Sequence, residues 1–231
     1  MLVKKYKVKV ASIHNPLEGV YTLEFESLSG KFKYAPGQFL HLALNADYDG
    51  SGQWPESRCF SMQTNPGNET IKVTFAVKGS FTKQMTETLK IGSELWLKLP
   101  FGELFTQNHS KEKTVFIAGG TGVTPYLSLF THSSFAEYYN PQIYLGFRSQ
   151  SFNLYVEELK TACIINDSGD KMLHLIYQDI DGILNIKNIL KENGIDTTYF
   201  ISGPPIMISS FKKSLITKGI SEQNIKTDDW E

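Results

Sequence analysis

The residue best suited to hold a phosphate in the first half of the chain is Arg58. It is the only arginine among the 12 basic residues of positions 1–108, and it opens the run Arg58-Cys59-Phe60-Ser61. A guanidinium fork grips a phosphate through paired hydrogen bonds, and an aromatic ring two residues on can lie flat against a heterocycle. On a strand, alternation puts Arg58 and Phe60 on one face and Cys59 on the other. A surface arginine beside a core phenylalanine would have the same pattern. Further on, Ala76-Val77-Lys78-Gly79-Ser80-Phe81-Thr82 ends an apolar run in a glycine turn. Thr82 can cap a short helix there, and a helix N-terminus offers unbonded N–H groups to an anion. Plain capping also accounts for this segment.

In the second half, an apolar run from Val115 meets Gly119-Gly120-Thr121-Gly122-Val123-Thr124-Pro125. Glycines let the backbone come close to a ligand. Thr124 can cap the next helix and Pro125 suits its first turn. That helix start could receive a pyrophosphate, or the segment could be a tight strand–helix turn. Ser202-Gly203-Pro204-Pro205-Ile206-Met207 likewise follows an apolar run and opens a helix. In parallel sheets ligands bind at the carboxyl ends of strands, where Gly119 and Ser202 would sit.

Two rhythms would position these residues. Up to about residue 106, six runs of strand type (3–10, 20–25, 38–44, 58–64, 70–77 and 94–99) are separated by Asn15-Pro16, Ser29-Gly30, Pro36-Gly37 and Asn65-Pro66-Gly67. In the first, Tyr6, Val8 and Val10 alternate with Lys5, Lys7 and Lys9, which gives one buried and one wet face. The pattern predicts an antiparallel six-stranded β-barrel over 1–108, with one short helix at 82–89. After a polar bridge at 107–113, apolar runs at 115–118, 143–147, 173–177 and 198–201 alternate with helix-like segments. That predicts a Rossmann-like parallel-sheet α/β domain over 109–231. There is no internal repeat and no low-complexity tract.

Composition narrows the function. The chain has 231 residues, 41% hydrophobic and 20% charged, so it can bury a sizeable core. Lys plus Arg total 23 and Asp plus Glu 24, for a net charge of −1. That balance argues against nucleic-acid partners and against an electrostatic membrane anchor. Cys59 and Cys163 are the only cysteines, too few for a disulfide framework, a four-cysteine zinc site or a cysteine-held iron–sulfur cluster. The uncharged stretch 114–136 contains Gly119, Gly120, Gly122 and Pro125 and does not read as a membrane span. With no apolar run of signal-peptide length at the start, a soluble cytoplasmic protein is expected.

Taken together in order, these segments resemble the ferredoxin–NADP⁺ reductase superfamily, and the resemblance covers nearly the whole chain. The family's Arg-x-Tyr/Phe-Ser is matched by Arg58, Phe60 and Ser61, and its upstream Pro-Gly-Gln by Pro36, Gly37 and Gln38. Its Gly-x-x-Ser/Thr is matched by Gly79 and Thr82, and Pro-x-Gly-x-Phe by Pro100, Gly102 and, one residue late, Phe105. The Gly-Gly-x-Gly-x-x-Pro loop corresponds to Gly119, Gly120, Gly122 and Pro125. The Gly-x-Arg stretch and its acidic helix correspond to Gly146, Arg148, Tyr155, Glu158 and Leu159. Cys-Gly-Pro-Pro-x-Met is matched by Gly203, Pro204, Pro205 and Met207, with Ser202 in place of the cysteine. The acid-x-aromatic near the C-terminus is Asp228 and Trp230.

The resemblance implies an FAD-dependent oxidoreductase, in which NAD(P)H passes a hydride to the flavin N5 and electrons go on to a separate acceptor. Arg58 would neutralise the FAD pyrophosphate, Phe60 would stack on the isoalloxazine, and Ser61 would lie near N5. The segment from Ala76 to Thr82 would hold the pyrophosphate. Gly120, Thr121, Thr124, Gly203, Pro204 and Met207 would receive the nicotinamide nucleotide. Trp230 would gate the flavin face. Ser61, Ser202, Asp228 and Trp230 would surround the reacting atoms. Three departures stand out: Phe60 for the usual Tyr, Ser202 for Cys, and Asp228 for Glu, one methylene shorter. Arg148 with Ser149 could receive a 2′-phosphate; Arg148 could equally pair with Glu157 or stack on adenine, leaving NADH or NADPH open. Ferredoxin, flavodoxin, an oxygenase component or a small molecule could be the acceptor. Two other readings stay open: a reductase using flavin as a diffusible substrate, and a nucleotide-binding electron-transfer or regulatory module with little turnover.

Overall fold

The computed structural model describes residues 2–45 and 47–228. The chain divides into two compact units: 1–103 together with Thr124–Ser128, and 104–123 together with 129–231.

In the first unit, β1 (Lys4–Leu17), β2 (Val20–Ser27), β3 (Phe39–Ala43), β4 (Ser57–Ser61), β5 (Thr70–Ala76) and β6 (Glu94–Phe101) form one antiparallel sheet, in the order β4-β3-β6-β1-β2-β5. Along β1 the inner residues Tyr6, Val8 and Val10 are buried, while Lys5, Lys7 and Lys9 face out. Leu23, Phe25, Leu40, Leu42, Ile71, Val73, Leu95 and Leu97 complete the inner face. Burying each such side chain is worth about 1.5–3 kcal/mol, so a period of two suffices to choose the inward face. Just past β4, the Gln63 N–H donates to the Lys72 carbonyl of β5 at 3.0 Å, joining the two end strands into a barrel. Helix α1 (Ser80–Thr88) follows β5 and drops Phe81 and Met85, one turn apart, into the same core.

The connection between β3 and β4 is pinned along its length. Trp96 Nε1 donates to the Tyr48 carbonyl at 2.8 Å and Lys5 Nζ to the Gly50 carbonyl at 3.0 Å. Gly50 has φ +90°, and a Cβ there would stand 2.6 Å from the Trp96 ring. Trp54 Nε1 donates to Ser57 Oγ at 2.9 Å, which fixes the approach to β4.

The second unit holds a parallel sheet of β7 (Thr114–Gly119), β8 (Gln142–Phe147), β9 (Leu173–Tyr177), β10 (Thr198–Ser202) and β11 (Ile225–Thr227), in the order β11-β10-β7-β8-β9. Here the inner strands do not alternate: every residue of β10 and the first five of β7 are buried, because both faces of the sheet are covered. One face carries Val115, Ile117, Tyr199 and Ile201 against α5 (Ile186–Asn193) and α6 (Pro205–Thr217). The other carries Phe116 stacked on Phe200 at 5.2 Å, with Phe130 and Phe135 around them. Helix α3 (Val156–Asn166) and the single turn α4 (Gln178–Asp181) complete this unit, while α2 (Thr124–Phe130) follows β7 in the chain with its residues Thr124–Ser128 grouped in the first unit. Leu104 onward goes with this unit, as Phe105 and His109 lie 5.1 and 5.0 Å from the Phe200 ring. Among the described residues no helix is long and apolar enough to cross a membrane. Nor, among them, is any group of three or more His, Cys, Asp or Glu side chains placed to hold a metal.

Candidate functional site

Arg58 stands exposed on β4 with its guanidinium over the ring of Phe81, 5.0 Å from the centroid. Its Nη1 donates to the Ser57 carbonyl and its Nη2 to Glu56 Oε1, each at 2.8 Å. Phe81 belongs to the first turn of α1, so two motifs twenty residues apart meet at one place. The helix begins there without a capping side chain. Its N-cap is Gly79, in extended backbone with φ −146°, and glycine has nothing to offer the first-turn N–H groups. Thr82, expected as the cap, is instead the third helical residue and reaches back. Its Oγ1 accepts from Lys78 and Gly79 N–H at 3.0 and 3.2 Å and donates to the Gly79 carbonyl at 3.1 Å. The hydroxyl thus shapes the turn, and a cation and a helix N-terminus are left facing solvent together. Lys78, Gly79 and Ser80 are exposed, whereas Ala76 and Val77 are half-buried beside the barrel core.

Phe60 is half-buried, edge-on to Phe75 at 5.7 Å, and Ser61 next to it pairs with Phe39 of β3. Cys59 turns instead to His41, Sγ to Nε2 3.6 Å. Burial pushes the Cys59 thiol above its usual value, against the pull of Arg58. Burial, helped by Lys98, holds His41 below 6.5. Both groups are therefore biased toward their neutral forms, and the pair is not built as a thiolate nucleophile.

In the second unit the chain leaves β7 through the 3-10 turn Gly120–Val123, with Gly120 at φ +56° and Thr121 half-buried, and enters α2 at the buried Thr124. Thr124 is the first residue of that helix rather than a cap before it. The backbone here runs against the turn after β10. A Cβ on Gly122 would lie 2.4 Å from Gly203 Cα, and Gly203 itself has φ +143°. Met207 and Pro204 close over Gly119 at 3.1 and 3.3 Å from where its Cβ would be. Pro205 opens α6 at the position proline favours.

Ser202, 1% exposed at the end of β10, donates from Oγ to Asp228 Oδ2 at 2.9 Å. The Asp228 N–H donates to the Ile201 carbonyl at 3.1 Å. Two of the departures from the family pattern therefore meet one another. Trp230 lies outside the described residues. Arg148, at the end of β8, is exposed and sits over the Phe152 ring at 5.8 Å. The expected alternative of a bridge to Glu157 is not seen, because Glu157 pairs with Lys160 at 2.8 Å, a helical i,i+3 contact. Ser149 Oγ lies 2.9 Å from Ser151 Oγ.

Two cavities lie away from these residues. One of about 570 Å³ is lined by Thr114, Gln142 and His174, all near the amino ends of strands, opposite Gly119 and Ser202. Another of about 450 Å³ lies beside Tyr48 and Trp96. Sequence reasoning missed Glu56. The available signal was an acidic residue two positions before Arg58, near enough in sequence to pair with it.

No family model matches the chain. Among curated relatives, it is 26% identical over 225 residues to the propane 2-monooxygenase reductase component of Mycolicibacterium smegmatis, covering 90% of this chain and 62% of that protein. It is 23% identical over 235 residues to flavohemoprotein A of Dictyostelium discoideum, covering 89% and 55%. Among solved structures, the flavohem-like FAD/NAD binding domain of nitric oxide dioxygenase from Vibrio cholerae superposes with TM-score 0.69 at 17% identity, over 96% of this chain and 97% of that one. The chain is similar to these proteins and has the fold of the solved one, an antiparallel barrel followed by a parallel α/β sheet. It spans 55% and 62% of the two curated relatives, so it corresponds to a part of each.

Proposed function

We propose that the chain is an FAD-dependent oxidoreductase that accepts a hydride from NAD(P)H and hands electrons to a separate acceptor. In this reading residues 1–108 hold FAD, residues 109–231 hold NAD(P)H, and the protein is soluble and cytoplasmic. The observation that carries it is Arg58 over Phe81 at an uncapped helix start. A cation, several free N–H groups and a half-buried aromatic nearby are what a flavin dinucleotide needs.

The flavin supplies the redox chemistry, taking two electrons together and releasing them singly. The protein binds and orients. Arg58 would offset pyrophosphate charge, the first-turn N–H groups of residues 80–82 would donate to its oxygens, and Phe60 would lie against the ring system. Ser61 supplies a hydroxyl beside it. Gly120, Gly122 and Gly203 keep the backbone bare where the nicotinamide nucleotide enters, flanked by Thr121, Pro204 and Met207. Ser202 and Asp228 form one hydrogen-bonded unit at that end of β10. Trp230 is proposed to cover the flavin face. Arg148 and Ser149 are proposed to meet the adenosine end, and the lack of a carboxylate on Arg148 among the described residues leaves it able to take a 2′-phosphate.

For the acceptor, ferredoxin, flavodoxin or an oxygenase component is proposed; one relative is the reductase component of a monooxygenase. A second reading, flavin as a diffusible substrate, is favoured by one observation: Glu56 already occupies part of the Arg58 fork. The purified protein is expected to be yellow, to release FAD on denaturation, and to bleach near ~450 nm, the flavin band, when NAD(P)H is added. A colourless protein that cannot be titrated with FAD, FMN or riboflavin excludes both readings.

A further inference from the structure

We infer that Glu56 determines how firmly the flavin nucleotide is held, by occupying the guanidinium fork that the phosphates must use. The inference rests on the reading of Arg58 as the phosphate ligand. Glu56 Oε1 accepts from Arg58 Nη2 at 2.8 Å, while Nη1 is engaged with the Ser57 carbonyl at the same distance. Both terminal nitrogens of the fork are thus bonded to the two residues just before Arg58, before any ligand arrives. A bidentate grip on phosphate requires the carboxylate to let go.

Glu56 is not placed there by a loose loop. Trp54 two residues earlier and Ser57 one residue later are tied by the 2.9 Å bond from Nε1 to Oγ, and Ser57 enters the ladder opposite Ala43. On the other side, Phe81 under the guanidinium holds it near the start of α1. The acidic group therefore stands beside the place where the ligand's own negative charge would arrive.

Exposed ion pairs are weak, and the side chains of Glu56 and Arg58 are 73% and 50% exposed, so the effect is one of tuning. One unit charge near a phosphate in water-exposed surroundings changes binding about three- to tenfold. The number of phosphates should matter: FAD and FMN carry them, riboflavin does not.

The test is a titration of the full chain, freed of flavin, with FAD, FMN and riboflavin, comparing wild type with Glu56→Gln by flavin fluorescence quenching. Glu56→Gln is expected to tighten FAD and FMN about three- to tenfold, to leave riboflavin unchanged, and to lose its advantage as salt is raised. In an Arg58→Ala background the gain should fall by at least half. An FAD affinity within twofold of wild type overturns the inference, and so does an equal gain for riboflavin or a full gain without Arg58. If wild type and variant bind no flavin at all, the flavoprotein reading and this inference fall together, an outcome distinct from the others.

Discussion

A methyl group on Gly122 would stand 2.4 Å from Gly203 Cα, 2.6 Å from its nitrogen and 2.9 Å from the Ser202 carbonyl carbon. Carbon atoms rest at about 3.5–4.0 Å, so the two turns would have to part by roughly 1 Å or more. All three obstacles are main chain, and no rotamer can relieve them. The parallel ladder between β7 and β10, paired as far as Ser202 with Ala118, resists the movement. Overpacking costs about 1–3 kcal/mol in general, and a clash with no flexible neighbour belongs at the upper end. At about 2–4 °C per kcal/mol for a chain of this size, Gly122→Ala should lower the melting temperature by roughly 6–12 °C. The assay is a thermal scan by circular dichroism, followed by nucleotide titration at a temperature where the variant is folded, where affinity should also fall. Gly79→Ala is the control for melting: its φ is −146° and a Cβ there meets nothing within 4 Å. A Gly122→Ala melting temperature within about 1 °C of wild type would show that the close approach is not what demands glycine.

Three further outcomes are expected. Gly79→Ala should melt like wild type yet bind FAD more weakly, because the added methyl stands beside the N–H groups offered to the pyrophosphate; equal FAD affinity would place the anion elsewhere. Among the described residues the buried Tyr155 hydroxyl has no hydrogen-bond partner, and burial pushes its ionisation well above 10. Tyr155→Phe removes an unsatisfied polar atom and should be neutral or stabilising by up to about 1 kcal/mol, whereas a clear loss in a melting scan would mean that the oxygen is satisfied. His41, His109 and His174 are all held below 6.5, in each case chiefly by burial. Just below pH 6.5 the unfolded chain therefore binds more protons than the folded one. The stability these groups contribute is full above pH 6.5 and declines as pH falls below it. Melting temperature should drop between pH 7.5 and 5.5, with a shallower slope for His109→Gln; a flat profile contradicts the assignment.

Much of the fold is legible in the sequence because burial leaves a period. Tyr6, Val8 and Val10 announce a strand with one wet face, and the uninterrupted run from Val115 to Ala118 announces one buried on both sides. The period fails where the backbone is irregular. β1 continues to Leu17, past the Asn15-Pro16 pair that reads as a turn, by means of register shifts after Val10 and His14. Three residues, Ile225 to Thr227, are too few to show any period, so β11 is not read at all. The candidate site divides the same way. Residue types and their order show Arg58, Gly79 and Gly122, but contacts made through space stay hidden. Nothing in one dimension tells that Arg58 will find Phe81, or that Ser202 will find Asp228, 26 positions on. Thr82 lies three residues past the N-cap, because a glycine can start a helix without offering it a side chain.

The bond from Gln63 to Lys72 has a consequence for how copies of this chain meet. It ties the two end segments of the first sheet to each other and so shortens the row of free N–H and C=O groups that a second molecule could zip onto. The parallel sheet does end in outer strands, and they are unequal: β11 has three residues and β9 has five. Strand addition between molecules, should conditions ever favour it, would start along β9 in the second unit and leave the first intact.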